Sequence, residues 1–299
     1  MQMAHPGLPE FDYIRPGSLM EASQFLAEHA GEARVVLGGT DTFVRMRDGA
    51  WKAKYLVDIK GLGETNTLQY SPAEGLVIGA AVTMNRVITS PDVQNCYPLL
   101  AEAAHSVASY QLRNRATIVG NICNASPAGD TTGACIVLGG VLRVHGLDGF
   151  RTEPLDTFFK GPGKTGLRPG DIVTAIQIPP SPDFTAGKYM KLGRNAIGDL
   201  SIVGVTVYGY PDTTVPSGFR FKIALASVAP VPLVVPQAEA ILVEKPVTEA
   251  TLEEAAQAAR VAFTPIDDVR CGARYRKQMV RNLTHTALQA VWQQLSKKG

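Results

Sequence analysis

Residues 117–130 combine small side chains, amides and hydroxyls, and carry no charge before Asp130. This composition suits a backbone wrapped closely around a phosphate-bearing ligand, because glycine permits close approach and Thr, Ser and Asn donate hydrogen bonds. A similar loop lies upstream, where the apolar residues 35–37 lead into Gly38-Gly39-Thr40-Asp41. Two such loops, about eighty residues apart, predict two halves of one dinucleotide site.

The bulk properties are those of an ordinary globular protein. The chain has 299 residues, 45% of them hydrophobic and 19% charged, which is enough for two domains with sizeable cores. A net charge of +2 gives no reason to expect a nucleic acid or a membrane surface as partner. Residues 1–10 have no signal-peptide pattern, and no apolar run is long enough to span a bilayer. A cytoplasmic protein is expected.

The cysteines and histidines show no spacing that predicts a metal site. The four cysteines form no C-x-x-C pair, and the five histidines are isolated. Iron–sulfur and zinc sites need several ligands that converge on the metal, so reduced thiols are expected instead. No acid–base pair stands out as catalytic, and we predict neither a catalytic residue nor a metal ligand.

Three regions are expected around the loops. The first has a helix capped by Ser18 and Glu21 and strands at residues 34–37 and 55–59. The second has a helix from Pro98 to about residue 109 and strand-like segments. Residues 179–182, rich in proline, form a linker to an α+β region with a helix capped by Thr251 and Glu254. The remaining predicted strands are residues 75–81, 136–145, 150–152, 172–178, 200–208 and 219–227, and the closing helix is residues 274–295.

Five motifs in one order resemble a known family. The two loops, read as Leu-Gly-Gly-Thr-Asp and Thr-Ile-Val-Gly-Asn-Ile-Cys-Asn-Ala-Ser-Pro, resemble the FAD-binding medium subunit of the molybdenum hydroxylases, which include xanthine dehydrogenase and carbon monoxide dehydrogenase. The resemblance continues through residues 111–114, 170–176 and 191–199 and covers nearly the whole chain. One departure is Val119, which stands where the family has the first of two glycines and is expected to alter one backbone approach to the ligand.

The resemblance implies an α+β chain. Its first part is a two-lobed FAD-binding fold of the vanillyl-alcohol-oxidase (PCMH) type over residues 1–179, with lobes at about 1–60 and 61–179. A smaller α+β C-terminal domain follows over residues 183–297. A Rossmann fold is not expected, because no G-x-G-x-x-G follows the first strand.

The resemblance also implies a set of FAD-binding residues. The first-loop amides would face the pyrophosphate, with Asp41 capping the next segment. Thr117 would donate to phosphate, and Asp130 would accept from hydroxyls of the cofactor or, alternatively, cap a helix. Lys191 would place a cation near the flavin, although a solvated lysine and a competing Lys188 are alternatives. The full set is Val36, Leu37, Gly38, Gly39, Thr40, Asp41, Thr117, Gly120, Asn121, Ser126, Asp130, Leu167, Val173 and Lys191.

Two neighbouring motifs predict a surface loop and a local ion pair. Residues 161–165, Gly-Pro-Gly-Lys-Thr, lack the phosphate-loop spacing because Phe158 replaces its first glycine, and a surface loop near the flavin's exposed side is expected. Arg194 and Asp199 are expected to form a local ion pair.

The implied function is electron transfer inside a three-component hydroxylase. A large subunit would hold molybdopterin, a small subunit would hold two 2Fe-2S clusters, and FAD here would pass electrons to NAD or another acceptor, in a dimer of heterotrimers. Two alternatives stay open: a stand-alone FAD-dependent oxidoreductase of the same fold, and a flavin-free scaffold subunit, which Val119 favours. The sequence does not identify the substrate.

Overall fold

The computed structural model describes residues 7–195 and 198–297. The first lobe is built on a parallel sheet of three strands in the order β1-β3-β2. Two helices cover it, and the apolar side chains of α1 (Leu19–Glu28) pack against the strands. The other elements of the lobe are β1 (Asp12–Ile14), β2 (Ala33–Val36), α2 (Thr42–Arg47) and β3 (Tyr55–Asp58).

The start of α1 confirms the predicted cap with one change. The Ser18 hydroxyl accepts a hydrogen bond from the Glu21 N–H at 3.1 Å. The Glu21 carboxylate accepts from the N–H of Gly17 at 2.7 Å, one residue earlier than a standard capping box would place it.

The second lobe contains an antiparallel five-stranded sheet in the order β4-β5-β10-β6-β7. Short helices pack on it and enclose the largest apolar core. The strands are β4 (Leu68–Ser71), β5 (Gly75–Gly79), β6 (Val141–Gly146), β7 (Gly149–Pro154) and β10 (Ile172–Ile178), with a separate hairpin of β8 (Phe159–Gly161) and β9 (Lys164–Thr165). The helices are α3 (Met84–Ile88), α4 (Pro91–Cys96), α5 (Pro98–His105), α6 (Tyr110–Arg113), α7 (Ile118–Cys123), α8 (Thr132–Val137) and α9 (Leu155–Phe158), and a 3-10 turn spans Gly63–Thr65.

The third region is a four-stranded antiparallel sheet in the order β11-β12-β13-β14. Helices α10 to α12 pack on one face, while α5 and α8 of the second lobe contact the other face. This arrangement buries β12 from Val203 to Gly209. The elements are β11 (Ala186–Leu192), β12 (Val203–Pro211), β13 (Phe219–Ala226), β14 (Leu233–Val234), α10 (Pro236–Glu244), α11 (Glu249–Val261) and α12 (Ala273–Leu295).

Several predicted boundaries are wrong. Residues 136–137 belong to α8 and not to a strand, since a short apolar run does not distinguish helix from strand by its composition. The helix predicted from Pro98 ends at His105. Helix α11 is capped by Thr248, whose N–H donates to the Thr251 hydroxyl at 2.8 Å, so Thr251 lies inside the helix. Strand β11 and helix α10 were not predicted.

The described residues include no helix with both the length and the apolar character needed to cross a bilayer.

Candidate functional site

A cleft of about 690 Å³ lies where the two lobes meet, and its rim includes residues before β12 in the third region. Its wall contains both glycine loops, the segment 167–173 and residues 198–200. The predicted site residues in this wall are Leu37, Gly38, Gly39, Thr40, Asp41, Thr117, Gly120, Asn121, Ser126, Asp130, Leu167 and Val173. Tertiary structure therefore brings together two loops that are far apart in sequence.

The first loop needs glycine for two different reasons. A Cβ at Gly38 would lie 2.1 Å from the carbonyl oxygen of Arg115, so this position is where the two lobes touch through their backbones. Gly39 has a φ of +70°, a left-handed conformation that a side chain disfavours. The loop is thus fixed by close contact on one side and by a tight turn on the other.

Three consecutive backbone donors of the first loop make no hydrogen bond to the described part of the chain. Among the described residues, none accepts a hydrogen bond from the N–H groups of Gly38, Gly39 or Thr40. Asp41 stands at the N-cap position of α2, but its carboxylate makes no capping hydrogen bond, so the predicted side-chain cap is wrong. Consecutive free N–H groups in a turn form an anion-binding nest.

The first half of the second loop, residues 117–130, forms helix α7. The Thr117 hydroxyl accepts from the Gly120 N–H at 2.9 Å and so caps α7. A Cβ at Gly120 would lie 2.8 Å from that same hydroxyl oxygen. Asn121 accepts from the Thr131 hydroxyl at 2.8 Å, which ties the start of α7 to the start of α8.

Asp130 is a buried carboxylate in the cleft wall, 6% exposed. It accepts from the Tyr189 hydroxyl at 2.6 Å and from the Lys191 ammonium at 2.8 Å. Burial raises the pKa of Asp130, and these two partners act in the opposite direction. The alternative role of Asp130 as a helix cap is wrong, because α8 begins after Thr131 and has no side-chain cap.

The two lysines of β11 both form ion pairs. Lys191 binds Asp130 and also donates to the Ser106 carbonyl at 3.2 Å. Lys188 pairs with Glu102. The interpretation of Lys191 as a solvated lysine is therefore wrong, since its side chain is only 15% exposed. Neither Lys191 nor Val36 lies in the cleft wall; Val36 packs in the core of the first lobe.

Residues 167–173, which follow the β8–β9 hairpin, form another part of the cleft wall. Asp171 accepts from the Arg151 guanidinium at 2.8 and 2.6 Å and from the Arg168 N–H at 2.6 Å. Burial alone would raise the pKa of Asp171, but these donors outweigh it and lower the pKa. Leu167 and Val173, two members of the predicted set, lie on either side and add apolar surface to the wall.

Arg34, Trp51 and Asn124 also lie in the cleft wall but were not predicted as binding residues. The guanidinium carbon of Arg34 lies 3.9 Å from the centre of the Trp51 ring. The side-chain oxygen of Asn124 is buried and has no hydrogen-bond partner among the described residues. Asn124 lies within the loop motif, whereas nothing in the sequence distinguished Arg34 or Trp51, because a cation–π contact depends on distance in the fold.

The structure bears out one of the two neighbouring motifs fully and the other in part. Residues 162–164 are exposed as predicted, but residues 161–165 belong to the β8–β9 hairpin, whose turn is residues 162–163. Gly163 in this turn donates its N–H to the Ala125 carbonyl at 2.9 Å. Arg194 and Asp199 form the predicted local pair, 3.5 Å apart. Ala196 and Ile197, part of the same resembling motif, lie outside the described residues. Within residues 7–195 and 198–297, no group of three or more metal-binding side chains occurs.

Two family descriptions match successive parts of the chain. "FAD binding domain in molybdopterin dehydrogenase" matches residues 9–181, and "CO dehydrogenase flavoprotein C-terminal domain" matches residues 188–291. The order agrees with the α+β FAD-binding fold and smaller C-terminal domain that the sequence predicted. The fold and cleft are those of a flavoprotein of the molybdenum hydroxylase class.

Individual relatives cover almost the whole chain. The carbon monoxide dehydrogenase medium chain of Hydrogenophaga pseudoflava is 33% identical over 95% of this chain and 98% of its own. A putative xanthine dehydrogenase FAD-binding subunit of Escherichia coli is 29% identical over 91% of this chain and 92% of its own. The chain belongs to the family of FAD-binding medium subunits of the molybdenum hydroxylases, and is an oxidoreductase subunit.

Solved structures show the same agreement. Carbon monoxide dehydrogenase from Hydrogenophaga pseudoflava, in a form that lacks the Mo-pyranopterin moiety of its cofactor, superposes with a TM-score of 0.91, covering 96% of this chain and 99% of the other at 33% identity. Quinoline 2-oxidoreductase from Pseudomonas putida gives 0.88 at 26% identity, covering 96% and 99%.

Proposed function

We propose that the chain holds FAD noncovalently in the cleft and passes electrons from 2Fe-2S clusters of a partner subunit to NAD or another acceptor. When bound, FAD supplies the ability to exchange electrons singly with a cluster and in pairs with an organic acceptor. The observation that carries the proposal is the convergence of both glycine loops in the wall of one cleft.

The residues in the wall fit such a ligand. The cleft volume of about 690 Å³ lies within the range of cofactor sites. The free N–H groups of the first loop would bind the pyrophosphate without a positive side chain. The buried oxygen of Asn124 needs a donor, and a cofactor hydroxyl or ring N–H would satisfy it.

Roles for the other wall residues follow from their contacts. Thr117 uses its hydroxyl oxygen as an acceptor for α7, which leaves its hydrogen free to donate to the ligand. Asp130 keeps spare lone pairs to accept from cofactor hydroxyls. Leu167 and Val173 would pack against a ring. Lys191 would act on the flavin through Asp130, to which it is bound.

The partners proposed are a large molybdopterin subunit and a small 2Fe-2S subunit, in a dimer of heterotrimers. Support comes from the relatives, which are named as medium chains or FAD-binding subunits. We place the complex in the cytoplasm, since all four cysteines are free. We also propose domains at residues 1–179 and 183–297, because both family matches end or begin near this linker.

The flavin-free alternative depended on Val119. Val119 is 1% exposed and packs in the core of the second lobe at the edge of the cleft wall. A larger side chain at that position therefore has room away from the ligand, and a flavin-carrying subunit is favoured.

The test is purification of the tagged chain from its natural host, with flavin, molybdenum and iron measured in the complex and in the isolated chain. We expect flavin on this chain and metals only on the co-purifying chains. The isolated chain should reduce dyes with NADH at most and hydroxylate no purine, aldehyde or heteroaromatic compound. Hydroxylation by the metal-free chain would favour the stand-alone oxidoreductase, and an intact complex without flavin would favour the scaffold.

A further inference from the structure

The far end of the second loop is held by the C-terminal region as well as by its own lobe. The Pro127 carbonyl accepts from the Ser227 N–H at 2.7 Å, and the Ala128 carbonyl accepts from the Ser201 hydroxyl at 3.5 Å. Ser227 adopts a φ of +64°, a conformation that costs free energy for a residue with a side chain. Two segments of the C-terminal region, one just before β12 and one just after β13, thus hold residues that line or adjoin the cleft.

A further buried contact joins Tyr189 of the C-terminal region to Asp130. Tyr189 is 5% exposed, and its hydroxyl oxygen lies 2.6 Å from a carboxylate oxygen of Asp130. Lys191, two residues further along β11 and therefore on the same face of the strand, holds the other carboxylate oxygen. Burial and the neighbouring Asp130 charge raise the pKa of Tyr189, so the phenol stays a neutral donor.

We propose that Tyr189 is a positioning residue for the cofactor, which fixes the Asp130 carboxylate so that its remaining lone pairs face the cleft. The proposal rests on the proposed FAD site and adds a residue outside the cleft wall to it. It also makes the C-terminal region a part of the binding site, because β11 supplies both groups that orient Asp130. A change in the packing of β11 against the second loop should then change the affinity for FAD.

The first experiment is a titration of deflavinated protein with FAD, followed by flavin fluorescence. Tyr189→Phe keeps the ring and its packing and removes one hydrogen bond to a charged group, so we expect affinity about tenfold weaker. The matched control is Tyr97→Phe, since Tyr97 is also buried and donates to the Pro179 carbonyl at 2.9 Å, but neither it nor Pro179 lies in the cleft wall. Equal affinities of the two variants would overturn the proposal.

The second experiment separates positioning from general loss of structure. Asp130 accepts cofactor hydroxyls best as the carboxylate, so affinity should fall as the pH drops through its raised pKa. Lys191 and Tyr189 are the ionisable groups that oppose this rise among the described residues. Removing the Tyr189 hydroxyl should move the fall to higher pH, while Tyr97→Phe leaves it in place.

A double-mutant cycle completes the test. Asp130→Asn should weaken FAD binding, and adding Tyr189→Phe should then change affinity by less than about twofold, because the carboxylate it positions is gone. A full tenfold additional loss would contradict positioning. Failure of the wild-type protein to bind FAD at all would instead refute the proposed function, so the two failures are distinguishable.

Discussion

The two glycine loops reach one cleft by different backbone conformations. The first, residues 37–41, is an open turn with left-handed Gly39 and free N–H groups. The second contains the capped helix α7, in which Gly120 is an ordinary helical residue. At Gly38 of the first loop a side chain would collide with the Arg115 backbone, which is distant in sequence. At Gly120 of the second loop it would contact the Thr117 hydroxyl of the same loop. A motif can therefore need glycine because of a distant residue or because of a near neighbour.

The acidic residues of the two loops differ in the same way. Asp41 is exposed and makes no capping bond, whereas Asp130 is buried and both its oxygens are held by β11. Among the described residues, hydrogen bonds to the C-terminal region come from the second loop and not from the first. The first loop is consequently expected to bind through its backbone, and the second through side chains that the rest of the chain orients.

The largest effect is expected at Gly38. In Gly38→Ala the new Cβ would need the space of the Arg115 carbonyl, so the two loops must separate and FAD affinity should fall at least about a hundredfold. Flavin absorbance per chain and circular dichroism measure cofactor content and fold. Gly61→Ala is the control, because no atom lies within 4 Å of its Cβ. Full flavin content in Gly38→Ala would show that the loops do not need this contact.

A smaller effect is expected at Gly120. Its Cβ would contact the Thr117 hydroxyl, a side chain that can rotate at the cost of the α7 cap, about 1 kcal/mol. Gly120→Ala should weaken FAD binding about tenfold. In the Thr117→Ala background the same substitution should cost less, since the clash is relieved. Equal losses in both backgrounds would show that the side chain meets the ligand itself.

The smallest effect is expected at Cys123, the thiol of the second loop. It lines the cleft, and burial raises its pKa to about 12, so it stays protonated and unreactive. Cys123→Ala should keep flavin content within about twofold, and acid precipitation of the wild type should leave the flavin in the supernatant. A yellow pellet from the wild type and a colourless pellet from Cys123→Ala would instead reveal a covalent bond between the flavin and Cys123. The second loop would then hold the cofactor covalently, unlike the first.

Local patterns predicted much of the secondary structure. The cap at Ser18, the strand β10 and the closing helix α12 follow from capping and periodicity. The patterns were misleading at residues 136–137, where a short apolar run fits helix and strand equally, and at Thr251, where a second threonine three residues upstream caps the helix instead. Residues of the cleft wall that lie in a loop motif were predicted, whereas the wall residues Arg34 and Trp51 were not. Tyr189, which we propose to position Asp130, was not predicted either, because a contact between distant segments has no local sequence signal.

The sequence by itself determined the family, the cofactor-binding class and both glycine loops, because each of these depends on motifs of contiguous residues. Tertiary structure alone decided that Gly38 meets Arg115, that Asp130 is buried and paired with β11, and that Val119 turns into a core. The physical reason is that steric contact, burial and charge pairing depend on distances between segments remote in sequence, and these distances exist only once the sheets and helices have packed.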